Sequence, residues 1–183
     1  MAEPGAASAA AKVLVTGGVR SGKSVHAESL FSKSAPVTYV AAGPTYDDAD
    51  WAARVARHQE RRPAWWTTVE TIDVAVAIDQ AAGPVLVDCL GTWLTAVIDE
   101  AGLWEAPVGE VEDAVLSPLA EIVDAVAASP GRVVLVTNEV GLGVVPEHRS
   151  GRVFRDLLGT VNQRLATACD EVHLVVAGRV LVL

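Results

Sequence analysis

The run Gly17-Gly18-Val19-Arg20-Ser21-Gly22-Lys23-Ser24 satisfies the pattern G-x-x-x-x-G-K-[ST] over its full length. Glycines let the backbone fold tightly, so that successive N–H groups turn inward onto phosphate oxygens. A helix leaving such a loop adds the positive end of its dipole. In this arrangement Lys23 reaches the β- and γ-phosphates of a nucleoside triphosphate, and the Ser24 hydroxyl ligates Mg²⁺. Arg20, inside the loop, is placed to add a further phosphate contact. The flanks agree, because an apolar stretch (VLVT) runs into the loop and a helix-like one (SVHAESLF) leaves it. Such a loop also needs an acid for the metal at the end of another buried strand. Asp88, closing PVLVD, and Glu139, following VVLVTN, are the candidates. Either can instead cap the helix after its strand.

A second constellation lies in Trp51–Arg62 (WAARVARHQERR), which carries Arg54, Arg57, Arg61 and Arg62 out of 14 Lys and Arg in the chain. At about 100° per residue, Arg54, His58, Arg61 and Arg62 share one helix face with Trp51 and Val55. An ordinary surface helix separates its basic and apolar sides. Guanidinium groups on the apolar face suit a site that an anion enters, although Arg stems covering apolar surface give the same pattern. Flanking positive charge disfavours imidazolium, so His58 is expected to be neutral at pH 7. A neutral imidazole is a nucleophile for an α-phosphorus while arginines stabilise the departing pyrophosphate. The acidic, Pro- and Gly-containing GPTYDD entry suggests a hinge that lets this 49–62 helix move.

The remaining chemistry-bearing residues form no comparable group. Ser29 and Ser34 have no base at a readable spacing, and His26, His148 and His173 are expected to be structural or exposed. Cys89 and Cys169 share no metal-ligand spacing with a histidine, and two distant cysteines fit a reducing cytoplasm better than a disulfide framework.

Two kinds of element must position these residues. Apolar runs at 12–17, 37–42, 84–90, 132–138 and 172–178, with a weaker one at 66–70, read as strands. Most are continuous rather than alternating, as in a parallel sheet covered on both faces. Helices are expected over 22–33, 49–62, about 72–81, 91–100, 110–128 and 151–168, with Gly102–Gly109 as a surface loop. Strand and helix in alternation define an α/β fold with a mainly parallel central sheet flanked by helices. The final GRVLVL is expected to turn back at Gly178 and Arg179 as an edge hairpin. The 183 residues suit a single domain over 12–183, with 1–11 as a disordered tail. The 51% apolar and 20% charged fractions are those of a folded chain. No stretch reaches the ~18–20 apolar residues of a membrane span. A net charge of −9 disfavours broad nucleic-acid binding, but not the binding of one nucleotide in a local positive pocket.

Taken together, GGVRSGKS, YVAAG, RHQERRPAWWTTVE, VLVDCLGTWLT, VVLVTNEVGLGVVPEHRSGRVFRDLLGTVNQRLA and DEVHLVVAG resemble, in that order, one family. It is the bifunctional adenosylcobinamide kinase/adenosylcobinamide-phosphate guanylyltransferase of cobalamin biosynthesis, and the likeness runs from about Lys12 to Gly178. The resemblance implies a P-loop (RecA-like) nucleotide-binding fold. It implies phosphorylation of adenosylcobinamide with ATP or GTP, then transfer of GMP from GTP through a guanylyl-histidine, which by position is His58. It implies nucleotide contacts at Gly17–Ser24, at Ala41, Ala42 and Gly43, at Gln59, Glu60, Arg61 and Arg62, and at Glu70 and Asp88. It also implies a homotrimer with sites near subunit boundaries. The sequence does not locate the corrinoid surface; Trp65, Trp66, Trp93 and Trp104 are candidates for it only as any exposed aromatic is. Two positions depart from the family habit: Ala42 and Gly91 stand where threonine is common, which bears on nucleotide preference rather than on the chemistry.

Overall fold

The computed structural model describes residues 11–32, 34–43 and 62–183. The expected helix at 49–62, with His58, Gln59, Glu60 and Arg61, and the hinge ahead of it therefore lie outside the described residues except for their end residues Arg62 and Gly43, as does the tail at 1–10. Ala11, grouped with the tail by sequence, is buried against the sheet.

Each apolar run forms a strand: β1 (Lys12–Gly17), β2 (Thr38–Ala41), β3 (Thr67–Glu70), β4 (Val85–Asp88), β5 (Val133–Val136), β6 (Glu171–Val176) and β7 (Arg179–Val182). They join in one sheet of order β3-β2-β4-β5-β1-β6-β7. Every pairing is parallel except the β6–β7 hairpin. Its two-residue turn, Ala177-Gly178, has φ of 49° and 76°, the positive values that a tight hairpin matching strand twist requires. β5 is buried at all four positions, as a central strand covered on both faces must be. β3 and β7 are the edges, and their exposure explains why 66–70 is the weaker run in the sequence.

Successive side chains point to opposite faces of a strand, and the core divides accordingly. Val13, Val15, Tyr39, Leu86, Val134 and Val136 face α1 (Lys23–Ser29), meeting its Ala27 and, just beyond it, Phe31. Leu14, Val40, Val85, Val87, Val133 and Leu135 face the opposite layer. That layer comprises α2 (Val74–Asp79), α3 (Leu90–Ala101), α4 (Val108–Ala128) and α5 (Arg149–Ala166). Trp93 is fully buried there with its indole N–H donated to the Ile72 carbonyl at 3.1 Å. It is a core residue, which removes it from the candidates for meeting a corrinoid.

Of the boundaries that differ from the sequence expectation by a few residues, two have a readable local cause. α1 ends at Ser29 rather than at 33, because the Ser29 hydroxyl donates to the His26 carbonyl at 2.6 Å and the chain tightens into short turns at Leu30 and Phe31. Serine competing for backbone groups ends helices in this way. The surface loop closes at Pro107, so that Val108 and Gly109 open α4. Among the described residues no helix is long and apolar enough to cross a membrane.

Candidate active site

In a parallel sheet the C-terminal strand ends form one rim, and ligands bind outside it. Gly17, Ala41, Glu70 and Asp88 all stand on this rim. β5 lies between the strand that feeds the glycine loop and the strand that ends in Asp88. Glu70 is four strands from Gly17, roughly 19 Å at ~4.8 Å per strand. The structure thus spreads the expected nucleotide contacts along the rim rather than gathering them at one point.

At one end is the loop itself. A Cβ at Gly17 would fall 2.4 Å from the Val175 carbonyl oxygen and 2.7 Å from Ser21 Oγ, so only glycine fits without displacing backbone. Arg20 and Gly22 have φ of 56° and 96°, which curl the loop before α1 begins. The loop is tied down on both sides: the Glu139 amide donates to Gly17 O at 3.2 Å, and the Gly178 amide donates to Ser21 O at 2.8 Å. Lys23 is buried with Nζ reaching back to Gly18 O at 3.3 Å. The buried Ser21 hydroxyl has no hydrogen-bond partner among the described residues, which fits a loop shaped for a polar ligand. Val19, at the tip, is exposed.

At the middle of the rim stands Asp88. It does not cap α3, whose N-cap is Cys89 with Thr92 completing the box. Its carboxylate accepts the Tyr39 hydroxyl at 3.2 Å. Burial, and then the Asp88 charge, push the Tyr39 phenol well above its ordinary range, so Tyr39 remains a donor at physiological pH. The Arg62 guanidinium lies 3.7 Å from the centroid of the same ring and donates to Thr68 Oγ1 at 3.1 Å. The last arginine of the basic run is therefore docked on β2 and β3, against Thr68 two residues before Glu70, and one side chain away from Asp88. Burial raises the pKa of the Cys89 thiol, and the Asp88 charge adds to the rise, so Cys89 is no ready nucleophile. A hydroxyl at Ser24 and a carboxylate at Asp88 are the oxygen donors that suit Mg²⁺.

The other expected acid is engaged locally, since Glu139 Oε1 accepts the Gly141 amide at 2.6 Å. One of the two departures also acquires a physical reason. A Cβ at Gly91 would meet Asn138 Oδ1 at 2.6 Å, so this chain's Asn138 excludes the usual threonine. Ala42 is fully buried, and nothing in the structure explains its standing in place of threonine; the adjacent Gly43 sits so close to Thr92 that a Cβ there would fall 2.7 Å away.

Sequence reading did not assign Tyr39, Asn138 or the His26–His173 pair. Asn138 lies on the rim between Gly17 and Asp88, with its backbone carbonyl held by Asn162 at 3.0 Å. His26 Nε2 and His173 Nδ1 share a hydrogen bond of 2.8 Å, and His173 Nε2 meets Glu171 at 2.8 Å. Burial, aided by His173, lowers the pKa of His26, and the chain of three ties α1 to β6. Only the three-dimensional pairing of residues 147 apart reveals it.

A glycine loop between a parallel strand and a helix, with a buried lysine and an acid two strands away, defines a P-loop nucleotide-binding α/β protein. The fold is shared with a prototypical ATPase from the type III secretion system of pathogenic bacteria. The TM-score is 0.53 at 11% identity, covering 90% of this chain and 51% of that one, so this chain spans about half the length of that neighbour. The family model described as cobinamide kinase / cobinamide phosphate guanyltransferase matches residues 13–183. The chain is 43% identical over 174 residues to the bifunctional adenosylcobalamin biosynthesis protein CobU of Salmonella typhimurium, covering 91% of this chain and 96% of that protein. It is 42% identical to the protein of the same name from Escherichia coli, with the same coverage. It is 39% identical to CobP of Pseudomonas aeruginosa, covering 90% and 92%. The chain belongs to the cobinamide kinase / cobinamide phosphate guanyltransferase family.

Proposed function

We propose that this protein phosphorylates adenosylcobinamide with ATP or GTP. It then transfers GMP from GTP to the new phosphate, giving adenosyl-GDP-cobinamide and pyrophosphate. The observation that carries this reading is the Arg62–Tyr39–Asp88 contact, which joins the end of the basic run to the acid of the phosphate-loop rim. In the first reaction the acceptor hydroxyl oxygen bonds to the γ-phosphorus and gives up its proton to solvent, the bond to the β–γ bridging oxygen breaks, and the nucleoside diphosphate leaves. Gly17–Ser24 holds the triphosphate and Lys23 offsets charge on the transferring group, so that positioning does most of the catalysis. The Ser24 hydroxyl and Asp88 carboxylate would hold Mg²⁺, whose contribution is neutralisation of triphosphate charge.

In the second reaction a ring nitrogen of His58 bonds to the α-phosphorus and pyrophosphate departs with the bridging oxygen. A phosphate oxygen of the acceptor then attacks, the P–N bond breaks, and the imidazole is restored. Gln59, Glu60, Arg61 and Arg62 form the nucleotide surface beside it, with Ala41, Ala42, Gly43 and Glu70 toward the β2–β3 end. The distance along the rim between the glycine loop and Glu70 suits a nucleotide that presents its γ-phosphorus in one step and its α-phosphorus in the other.

A homotrimer in the cytoplasm completes the reading. The exposure of Leu142, Val144 and Val145 on the loop before α5 supports an assembly that covers them, and two free cysteines suit a reducing compartment. The test is incubation with α-labelled GTP and no corrinoid. Acid-labile label on the protein is the expected result, and a wild type that never takes label is a plain kinase.

The Tyr39 contact yields its own expectation. Tyr39→Phe keeps the ring under Arg62 and removes the hydroxyl that orients Asp88, a loss of about 1 kcal/mol in stability. A Mg²⁺ titration of the phosphorylation step is expected to shift several-fold toward higher concentration. An unchanged titration would mean that the hydroxyl only fills space.

A further inference from the structure

We propose that the groove between α3 and α5 seats one edge of the corrinoid acceptor; this rests on the functional reading above. The groove holds about 590 Å³ and is lined by Thr95 of α3, Trp104 and Glu105 of the following loop, and Ser150, Gly151 and Phe154 at the start of α5.

Its walls are built in advance. The Arg149 guanidinium donates to the carbonyls of both Trp104 and Ala106, fixing the 102–107 segment against α5. The Trp104 indole N–H is held by Asp99 at 2.5 Å. At the α5 end a Cβ on Gly151 would fall 2.9 Å from Pro146, so the helix start and the loop before it are in close contact. A wall ordered before the ligand arrives lowers the entropic cost of binding.

The groove also lies where an acceptor must lie. The Phe154 ring tip is 3.8 Å from the point a Gly91 Cβ would occupy, and Asn138 Oδ1 is 2.6 Å from that same point. Gly91 is three residues past Asp88, and Asn138 stands on the rim between Asp88 and the glycine loop. The inner end of the groove therefore abuts the transfer rim, and its outer end opens to solvent.

Its chemistry matches a corrinoid edge. Trp104 and Phe154 offer two half-buried aromatic surfaces to a flat apolar macrocycle. The Thr95 and Ser150 hydroxyls and the Glu105 carboxylate ring these surfaces, and acceptors of this kind pair with the amide N–H groups on a corrin's periphery. The Glu105 carboxylate disfavours an occupant that would lay its phosphates in the groove itself, such as a second nucleotide, whereas the corrinoid's phosphate sits on the arm that points away. The volume is smaller than a whole corrinoid, so only an edge is held and the hydroxyl-bearing arm is left to extend toward Gly91 and Asp88.

Ser150→Trp fills the groove from its exposed rim, and Trp104→Ala removes a wall. Two quantities are read for each: the KM for cobinamide in phosphorylation, and the label that α-labelled GTP alone deposits on the protein. The expected result is a rise of roughly tenfold or more in the cobinamide KM with labelling by GTP alone maintained. Ser150→Trp that saturates at the wild-type cobinamide concentration overturns the assignment, whatever Trp104→Ala does to folding. So does a rise in the KM for nucleotide in place of that for cobinamide. A wild type that neither takes label nor phosphorylates cobinamide refutes the functional reading instead, so the two failures are distinguishable.

Discussion

Lys23→Ala is expected to lower phosphorylation of cobinamide by roughly 10²–10³-fold, the usual cost of removing one charge-stabilising donor from a transfer site. The side chain is buried, and its Nζ reaches the Gly18 carbonyl at the long distance of 3.3 Å. Its place in the glycine loop, where the lysine of this pattern reaches the β- and γ-phosphates, ties it to what the loop binds. The loop shape does not depend on it, because Gly17 and Gly22 and the amides of Glu139 and Gly178 set the backbone. Thermal unfolding of Lys23→Ala should therefore stay close to that of the wild type while turnover collapses. Lys23→Arg should not rescue it: a planar guanidinium is larger than the point charge that this space accepts. Retention of a tenth or more of the wild-type rate by Lys23→Ala would mean that the loop cradles something other than the reacting phosphates.

The rim was legible in the sequence because it is built from local signals. A continuous Val/Leu run into Gly17, and a helix leaving Ser24, are adjacent in the chain, so neighbour-to-neighbour reasoning places the loop. Asp88 was found for the same reason, as an acid closing an apolar run. What escaped was pairing across the sheet. Tyr39 meets Asp88 because β2 lies beside β4, with Tyr39 in register with Leu86, and nothing in a linear reading fixes that register. The strand inserted between β1 and β4 is β5, from much later in the chain, which is how Asn138 enters the site unannounced. Gly91 illustrates the limit from the other side. It read as a departure from family habit, and its cause is the side chain of a residue 47 positions away. The groove beside it is likewise a product of three segments that only the fold makes neighbours.

The second large effect belongs to the basic run, and its signature is asymmetry between the two reactions. His58→Ala is expected to abolish acid-labile label from α-labelled GTP and to lower GMP transfer by at least ~10³-fold, as loss of a covalent nucleophile does. Phosphorylation of cobinamide should persist within a few-fold, because Gly17–Ser24 and Asp88 are untouched. The physical basis is the docking of Arg62, four residues along. Its guanidinium is fixed over Tyr39 and against Thr68, at the opposite end of the rim from Lys23, which supports a separate division of labour for the run that Arg62 closes. Arg62→Ala should then weaken labelling by a smaller factor than His58→Ala, since it removes a charge and a docking contact but leaves the nucleophile. Measured side by side, equal losses of phosphorylation and labelling in His58→Ala would place the imidazole in shared nucleotide binding, and the guanylyl-histidine at this position would have to be abandoned.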